Sequence, residues 1–228
     1  MKKLLGFSIF LVFVLIASLT AEAKVTLPAI FSDNMVLQQN TQVNVWGKAA
    51  PGEKVTVKAS WLDKAVTAKA AANGKWTVKL KTPKATTNQS VTVSGENEIT
   101  INNVLIGEVW LCTGQSNMEF PVSRHPDVKW NTGMLNEAEE LKDADYPEIR
   151  LFHVKHQLAH EGELDDCEGE WLVCNPKNLY DFSAVGFVFG RKLYKELKMP
   201  VGLIQSTWGG THAESWTCLL YTSPSPRD

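Results

Sequence analysis

Thr113-Gly114-Gln115-Ser116-Asn117-Met118 places a serine just after the apolar run Glu108-Val109-Trp110-Leu111-Cys112. In an open α/β sheet, ligands bind beyond the carboxyl ends of the strands, so such a turn sits where chemistry is done. Gly114 permits the bend. A Ser116 hydroxyl presented there could attack an ester carbonyl, with its own backbone N–H facing the developing oxyanion. The turn is not the Gly-x-Ser-x-Gly nucleophile elbow, because Met118 stands where the second glycine would be. On local pattern alone, a serine here is usually an ordinary turn residue.

A second loop of the same kind is Ser206-Thr207-Trp208-Gly209-Gly210-Thr211, again after an apolar run. Paired glycines let backbone approach a ligand closely and can supply an oxyanion N–H. Alone this is a plain βα turn. Two such loops after parallel strands would share one edge of one sheet. His153, His156 and His160 raise a metal reading, since the three could share a helix face. His153 falls in a strand pattern, however, and Gln157-Leu158-Ala159 offers no carboxylate to orient a ligating ring, so surface or loop histidines are expected and no metal.

The elements that must hold these loops fall into two groups. Residues 24–105 read as all-β. Val43-Asn44-Val45-Trp46 and Lys54-Val55-Thr56-Val57-Lys58 alternate, Pro51-Gly52 marks a turn, and Asn73-Gly74 is a two-residue hairpin signal before Lys75-Trp76-Thr77-Val78-Lys79-Leu80. With Ser90–Val93 and Glu98–Ile101 the set predicts a small β-sandwich, which could bind sugar or merely pack against its neighbour. Residues 106–217 read as α/β. Glu108–Cys112 has the continuous apolar character of a strand buried in a parallel sheet, and Ile149-Arg150-Leu151-Phe152-His153-Val154 is a second strand candidate. Ser183 can cap a helix through Phe187, Val188, Leu193 and Leu197, and Val201–Ser206 follows Met199-Pro200 as the next strand, giving a βαβ unit.

Five segments occur in order: Phe31-Ser32-Asp33-Asn34-Met35-Val36-Leu37-Gln38-Gln39, Ile106-Gly107-Glu108-Val109-Trp110, Gly114-Gln115-Ser116-Asn117-Met118-Glu119, Phe182-Ser183-Ala184-Val185-Gly186 and Gly202-Leu203-Ile204-Gln205-Ser206. Together they closely resemble bacterial sialate O-acetylesterases of the SGNH hydrolase superfamily, over essentially all of residues 24–217. The resemblance implies an SGNH-type, flavodoxin-like parallel sheet over 106–217, incomplete in this sequence. It implies Ser116 as nucleophile, with an oxyanion hole from the Ser116 N–H, a Gly209 or Gly210 N–H, and an Asn of a later Gly-Glu-Ser-Asn-like segment. The general base would be a His of a later Asp-x-x-His-like segment. Neither later segment is present, so residues 24–217 alone are expected not to turn over. No cofactor is implied.

Substrate contacts are expected of Gln115, beside the nucleophile, and of two further residues. Arg124 could meet a sialic-acid carboxylate bidentately, or lie on a helix surface. His212, beside the glycine pair where the family more often has Pro, fits substrate or loop packing better than a base role. Glu214 and Trp216 are expected as a buried structural pair. The substrate so implied is an acetylated sialic acid or related acetylated carbohydrate. Deacetylation of a polysaccharide such as xylan and a noncatalytic sugar-binding module remain open alternatives.

Composition agrees with an exported globular protein. A net charge of −2 over 228 residues, with no basic run, excludes a nucleic-acid partner held by clustered Lys and Arg. Lys2 and Lys3, the apolar stretch 4–19 and Ala21-Glu22-Ala23 form a cleavable signal peptide over 1–23, which predicts a periplasmic or secreted protein with no membrane attachment after cleavage. Export permits disulfides, so Cys167 and Cys174, which flank the short loop-like span Glu168-Gly169-Glu170-Trp171, could pair or stay free, while Cys112 reads as a core residue. Residues 218–228 lack periodicity and back-translate to a string resembling a sequencing adapter, so they are expected to be a read-through tail.

Overall fold

The computed structural model describes residues 24–126, 133–160, 162 and 164–216. The expected signal peptide at 1–23 and the expected tail at 218–228 lie outside the described residues.

The N-terminal strands follow the alternation of the sequence. They are β1 (Val36–Gln38), β2 (Gln42–Lys48), β3 (Lys54–Ala59), β4 (Val66–Lys69), β5 (Lys75–Lys81), β6 (Thr86–Ser94) and β7 (Glu98–Gly114). In β5, Trp76, Val78 and Leu80 turn inward and Lys75, Thr77, Lys79 and Lys81 outward, the period-2 pattern of a half-buried strand. β2 and β5 form a two-stranded antiparallel ribbon, while β4, β3, β6 and β7 pair in that order. Val45, Val78 and Leu80 of the ribbon share one core with Val55, Val57, Val91, Val93 and Ile101 of the larger sheet. The Asn73-Gly74 turn is present, with Gly74 at φ +77°. It differs from the predicted hairpin, because β4 pairs with β3 and β5 with β2. The turn therefore carries the chain from one sheet to the other.

The predicted boundary at 105/106 falls inside β7, which runs through it without a break. Its first half belongs to the antiparallel sheet and residues 108–114 to a parallel one. There β10 (Val201–Thr207) lies between β7 and β8 (Tyr146–His153), parallel to both, with β9 (Trp171–Cys174) antiparallel at the far edge. The result is a mixed α/β molecule. The short helices are α1 (Ser116–Glu119), α2 (Glu137–Lys142) and α3 (Pro176–Leu179); the long one is α4 (Ala184–Leu197). The Ser183 side chain accepts from the Gly186 N–H to cap α4, a contact worth about 1 kcal/mol. Lys198 ends the helix in the left-handed conformation, and β10 starts three residues later.

Close backbone contacts tie the two regions together. A Cβ on Gly107 would stand 2.0 Å from the Pro200 carbonyl oxygen, and one on Gly202 2.7 Å from Val36 Cβ. Trp171 donates its indole N–H to the Ile30 carbonyl (2.8 Å), and buried Arg150 reaches Asn34 Oδ1 (3.0 Å) and the Pro147 carbonyl (2.9 Å). Desolvation lowers the Arg150 pKa.

Two further sequence expectations change. Residues 108–112 do not form a strand buried on both sides: among the described residues 108–114 has a ladder partner only in β10, and Trp110 and Leu111 are 42% and 62% exposed. Trp110 instead meets Phe189 of α4 edge-on at 5.0 Å. Cys167 and Cys174 do not flank a simple loop, because Trp171–Cys174 is β9, and Cys112, Cys167 and Cys174 are all free thiols. Burial pushes the Cys174 thiol up to about 12.

Candidate active site

The parallel register builds the site. Gly114 at the end of β7 lies opposite Thr207 at the end of β10, so the two loops singled out in the sequence leave one sheet edge side by side. Gly114 adopts φ +145°, a conformation that favours glycine, and turns the chain into α1. Ser116 is the first residue of α1 and is exposed. Gln115 precedes it in an extended conformation, its carbonyl accepting from the Met118 and Glu119 N–H groups. The Trp208 N–H donates to the Gly114 carbonyl at 3.1 Å, fastening the second loop to the first. A Cβ built on Gly209 would lie 3.5 Å from Ser116 Cβ and 2.7 Å from Glu119 Oε2. A side chain there would press on Glu119, so glycine allows the loops to close to this distance.

Behind α1, fully buried Gln205 accepts from the Ser183 N–H (2.7 Å) and donates to Thr207 Oγ1 (3.1 Å). The Phe120 carbonyl accepts from Ala184 N–H at 2.8 Å, and Val122 N–H donates to the Phe182 carbonyl at 3.0 Å. The Ser116 turn thus rests on the start of α4, and a buried amide joins that start to the end of β10.

Glu119 organises the front of the site. One carboxylate oxygen accepts from the Gly209 N–H; the other lies 2.9 Å from His156 Nε2. The same nitrogen is 2.8 Å from the Thr207 carbonyl. Facing two acceptors, Nε2 carries the proton and donates, so it cannot take one from Ser116. The His156 ring stacks on Trp208, 4.3 Å between centroids and 3° from parallel. Thr211 Oγ1 donates to the Trp208 carbonyl and accepts from the Trp216 indole, each at 2.7 Å, closing the loop beyond. A cleft of about 190 Å³ opens there, lined by His156, Thr207, Trp208, Trp216, Asp166 and Cys167.

The predicted residues are only partly assembled. Ser116 and Gly209 come together. Yet the Gly209 N–H, expected to be free for an oxyanion, is engaged by the Glu119 carboxylate, which the sequence reading left without a role. Gly210 is exposed at φ +80°. Arg124 lies in coil, so it is not a helix-surface residue; its carbonyl accepts from the Tyr180 hydroxyl. His212 is exposed, its carbonyl accepting from Ser215 N–H. Glu214 is exposed and Trp216 is held by Thr211, so these are not a buried pair. Among the described residues no cluster of three or more His, Cys, Asp or Glu side chains could hold a metal. His153 sits at the end of β8, where burial holds its pKa below the usual imidazole value. His156 does have a carboxylate partner, but it comes from Glu119, 37 positions away, rather than from its own segment. The one signal for Glu119 was its i,i+3 spacing from Ser116, one helical turn on; nothing local pointed to His156.

No protein-family model matches the chain. It is 33% identical over 209 residues to the sialate O-acetylesterase of Mus musculus, covering 83% of this chain, and 32% identical over 205 residues to that of Homo sapiens, covering 82%. The chain spans 37% of the length of each. The crystal structure of a carbohydrate acetylesterase from Xanthomonas citri superposes with a TM-score of 0.77 at 30% identity, over 89% of this chain and 44% of that one. By sequence over most of its length and by fold, the chain is a homologue of the sialate O-acetylesterases.

Proposed function

We propose that this chain carries the nucleophile half of a serine carbohydrate O-acetylesterase that removes acetyl groups from sialic acid or a related acetylated sugar. The observation that carries it is Ser116, exposed at the carboxyl edge of a parallel sheet with the Gly209 loop against its Cβ. Ser116 Oγ attacks the acetyl carbonyl, the sugar hydroxyl leaves with a proton, and water then hydrolyses the acetyl-enzyme to acetate. The oxyanion is met by the Ser116 and Gly210 N–H groups, while Glu119 holds Gly209 and so fixes the spacing of that loop. Among the described residues no histidine hydrogen-bonds the Ser116 hydroxyl, and His156 is turned to other partners. The base, on this reading, is supplied by the remainder of a full-length gene product. Gln115, Arg124 and His212 border the substrate. Residues 24–105 form a small β-sandwich ahead of the sheet domain, a reading supported by the core its two sheets share. The signal-peptide pattern at 1–23 supports export.

The test is acetate release from O-acetylated sialic acid by the full-length gene product and by its Ser116→Ala variant. Loss on the order of ten-thousand-fold in kcat is expected. Undiminished turnover in the Ser116→Ala enzyme sinks the proposal.

A further inference from the structure

A second cleft, of about 320 Å³, lies on the outer face of the β2–β5 ribbon. Strand register places its floor. Trp46 is opposite Thr77 and Lys48 opposite Lys75, and all four side chains point away from the core. Trp46 is 41% exposed and braced edge-on by Phe31 at 4.6 Å. One wall is the segment Thr26-Leu27-Pro28. Its Thr26 bonds Lys48 backbone to backbone, and its carbonyl oxygen would be 2.2 Å from a Cβ on Gly47. The other wall is Asp165 and Asp166, from the β8–β9 connection. Lys48 Nζ and Lys75 Nζ converge on opposite oxygens of Asp165, at 3.0 and 2.5 Å, with all three side chains about half exposed. The cleft is also lined by Trp76, whose buried indole N–H has no acceptor among the described residues.

We propose that this cleft is a glycan subsite for an acidic sugar. The Trp46 ring takes a pyranose face, and the two lysines take the carboxylate, whose place the protein's own Asp165 now fills. An exposed aromatic in a concave site offers apolar contact to the C–H face of a sugar. Two ammonium groups set for one carboxylate supply the charge match. The cleft adjoins the smaller cleft beside the candidate site through one shared residue. Asp166 lines both it and the smaller cleft, whose His156 is bonded to Glu119, one helical turn from Ser116. A ligand of several sugar rings could then lie across both, with one residue on Trp46 while another presents its ester to Ser116. The ligand class rests on the carbohydrate-esterase reading; the test does not use turnover.

The probe is sialyllactose, with lactose as the uncharged comparison, titrated into the protein while amide signals are followed by NMR. Saturable shifts at Trp46, Lys48, Lys75 and Thr77 are expected, with lactose several-fold weaker. Trp46→Ala should weaken sialyllactose by about tenfold. Lys75→Gln, an exposed change that spares the fold, should weaken it by up to about fivefold and reduce its salt dependence. Asp165→Asn should strengthen it by a similar factor, because the competing carboxylate is gone. No saturable binding, equal affinity for the two sugars, or full affinity in Lys75→Gln would overturn the subsite. An inactive full-length gene product that still binds here would overturn only the esterase reading. An active one without this binding would overturn only the subsite.

Discussion

In β5 every side chain faces the way its position in the alternation dictates, whereas in β7 beyond Gly107 two large apolar residues face outward. The ribbon and its facing sheet finish their core from residues 25–105 with two aromatics, Phe152 and Trp171, lent by the second region. The parallel sheet collects its core from Cys112, Ile149, Leu151, Phe187, Val201 and Leu203, which are far apart in sequence. Antiparallel pairing of chain neighbours, as in β3–β4 and β6–β7, needs only turns and alternation, although β2 and β5 pair across a longer stretch, Lys48 opposite Lys75. Parallel pairing needs crossovers, so neighbours in space are remote in sequence. The candidate site lies in the second kind of region, where contacts are built at long range.

The sharpest break of this contrast is at the seam. Gly107→Val would drive a side chain into the Pro200 carbonyl, forcing β7 and β10 apart where antiparallel and parallel sheets meet. Backbone is the obstacle, so the cost should reach about 3 kcal/mol or more. Urea unfolding followed by backbone circular dichroism and by tryptophan fluorescence should show one coincident transition in the parent protein. If the variant splits it, with the residues 24–105 core surviving, the regions are separable. A variant as stable as the parent means the seam does not join them.

A second effect should touch the parallel sheet alone. Glu140 of α2 accepts from the two terminal guanidinium nitrogens, Nη1 and Nη2, of Arg191 on α4, and their side chains are only 10% and 20% exposed. Arg191's hydrogen bond holds the Glu140 carboxyl below its usual value of 4.5, and burial depresses His153 below 6.5. In both cases the folded state binds protons less readily than the unfolded one. Stability is therefore full above pH about 6.5, falls first as His153 must charge, and falls again below about 4.5 as Glu140 is protonated. Glu140→Ala should cost about 2 kcal/mol at neutral pH and remove the second, more acidic step. Hydrogen exchange should locate the loss in α2 and α4. Equal loss in β3 and β6 would deny that the regions differ.

Why the sequence carried some of this and not the rest follows from the same contrast. The strands at 43–46, 54–58 and 75–80 were legible because alternation is a local signal. So was the start of α4, which Ser183 caps; its buried face was not, because Val188 and Leu197 are exposed while Ala184, Gly186, Phe187 and Gly190 face inward. Ser116 was legible as a turn residue, and its proposed role as nucleophile came from a run of motifs rather than its immediate neighbours. The Asn73-Gly74 turn was legible but its partners were not, because a tight turn joins strands of two sheets as easily as of one. Glu119 and His156 were missed because their pairing depends on β7, β8 and β10 lying side by side. β9 was hidden inside a cysteine spacing that looked like a loop.

The smallest effect tests how the two regions hold each other. Trp171 of β9 packs against Phe152 with ring centroids 5.3 Å apart, and both belong to the core of the first region. Its indole N–H donates to the Ile30 carbonyl at 2.8 Å across the seam. Trp171→Phe keeps a ring at this place but removes the donor and some volume. The lost hydrogen bond and the small void together should cost about 1–2 kcal/mol. Arg150 reaches Asn34 from the neighbouring strand and should limit how far β9 can move. Thermal unfolding should therefore show a lowered midpoint with the same slope and still a single transition. A change of slope would mean that the indole N–H, rather than the shared apolar packing, keeps the β-rich region and the parallel sheet in one cooperative unit.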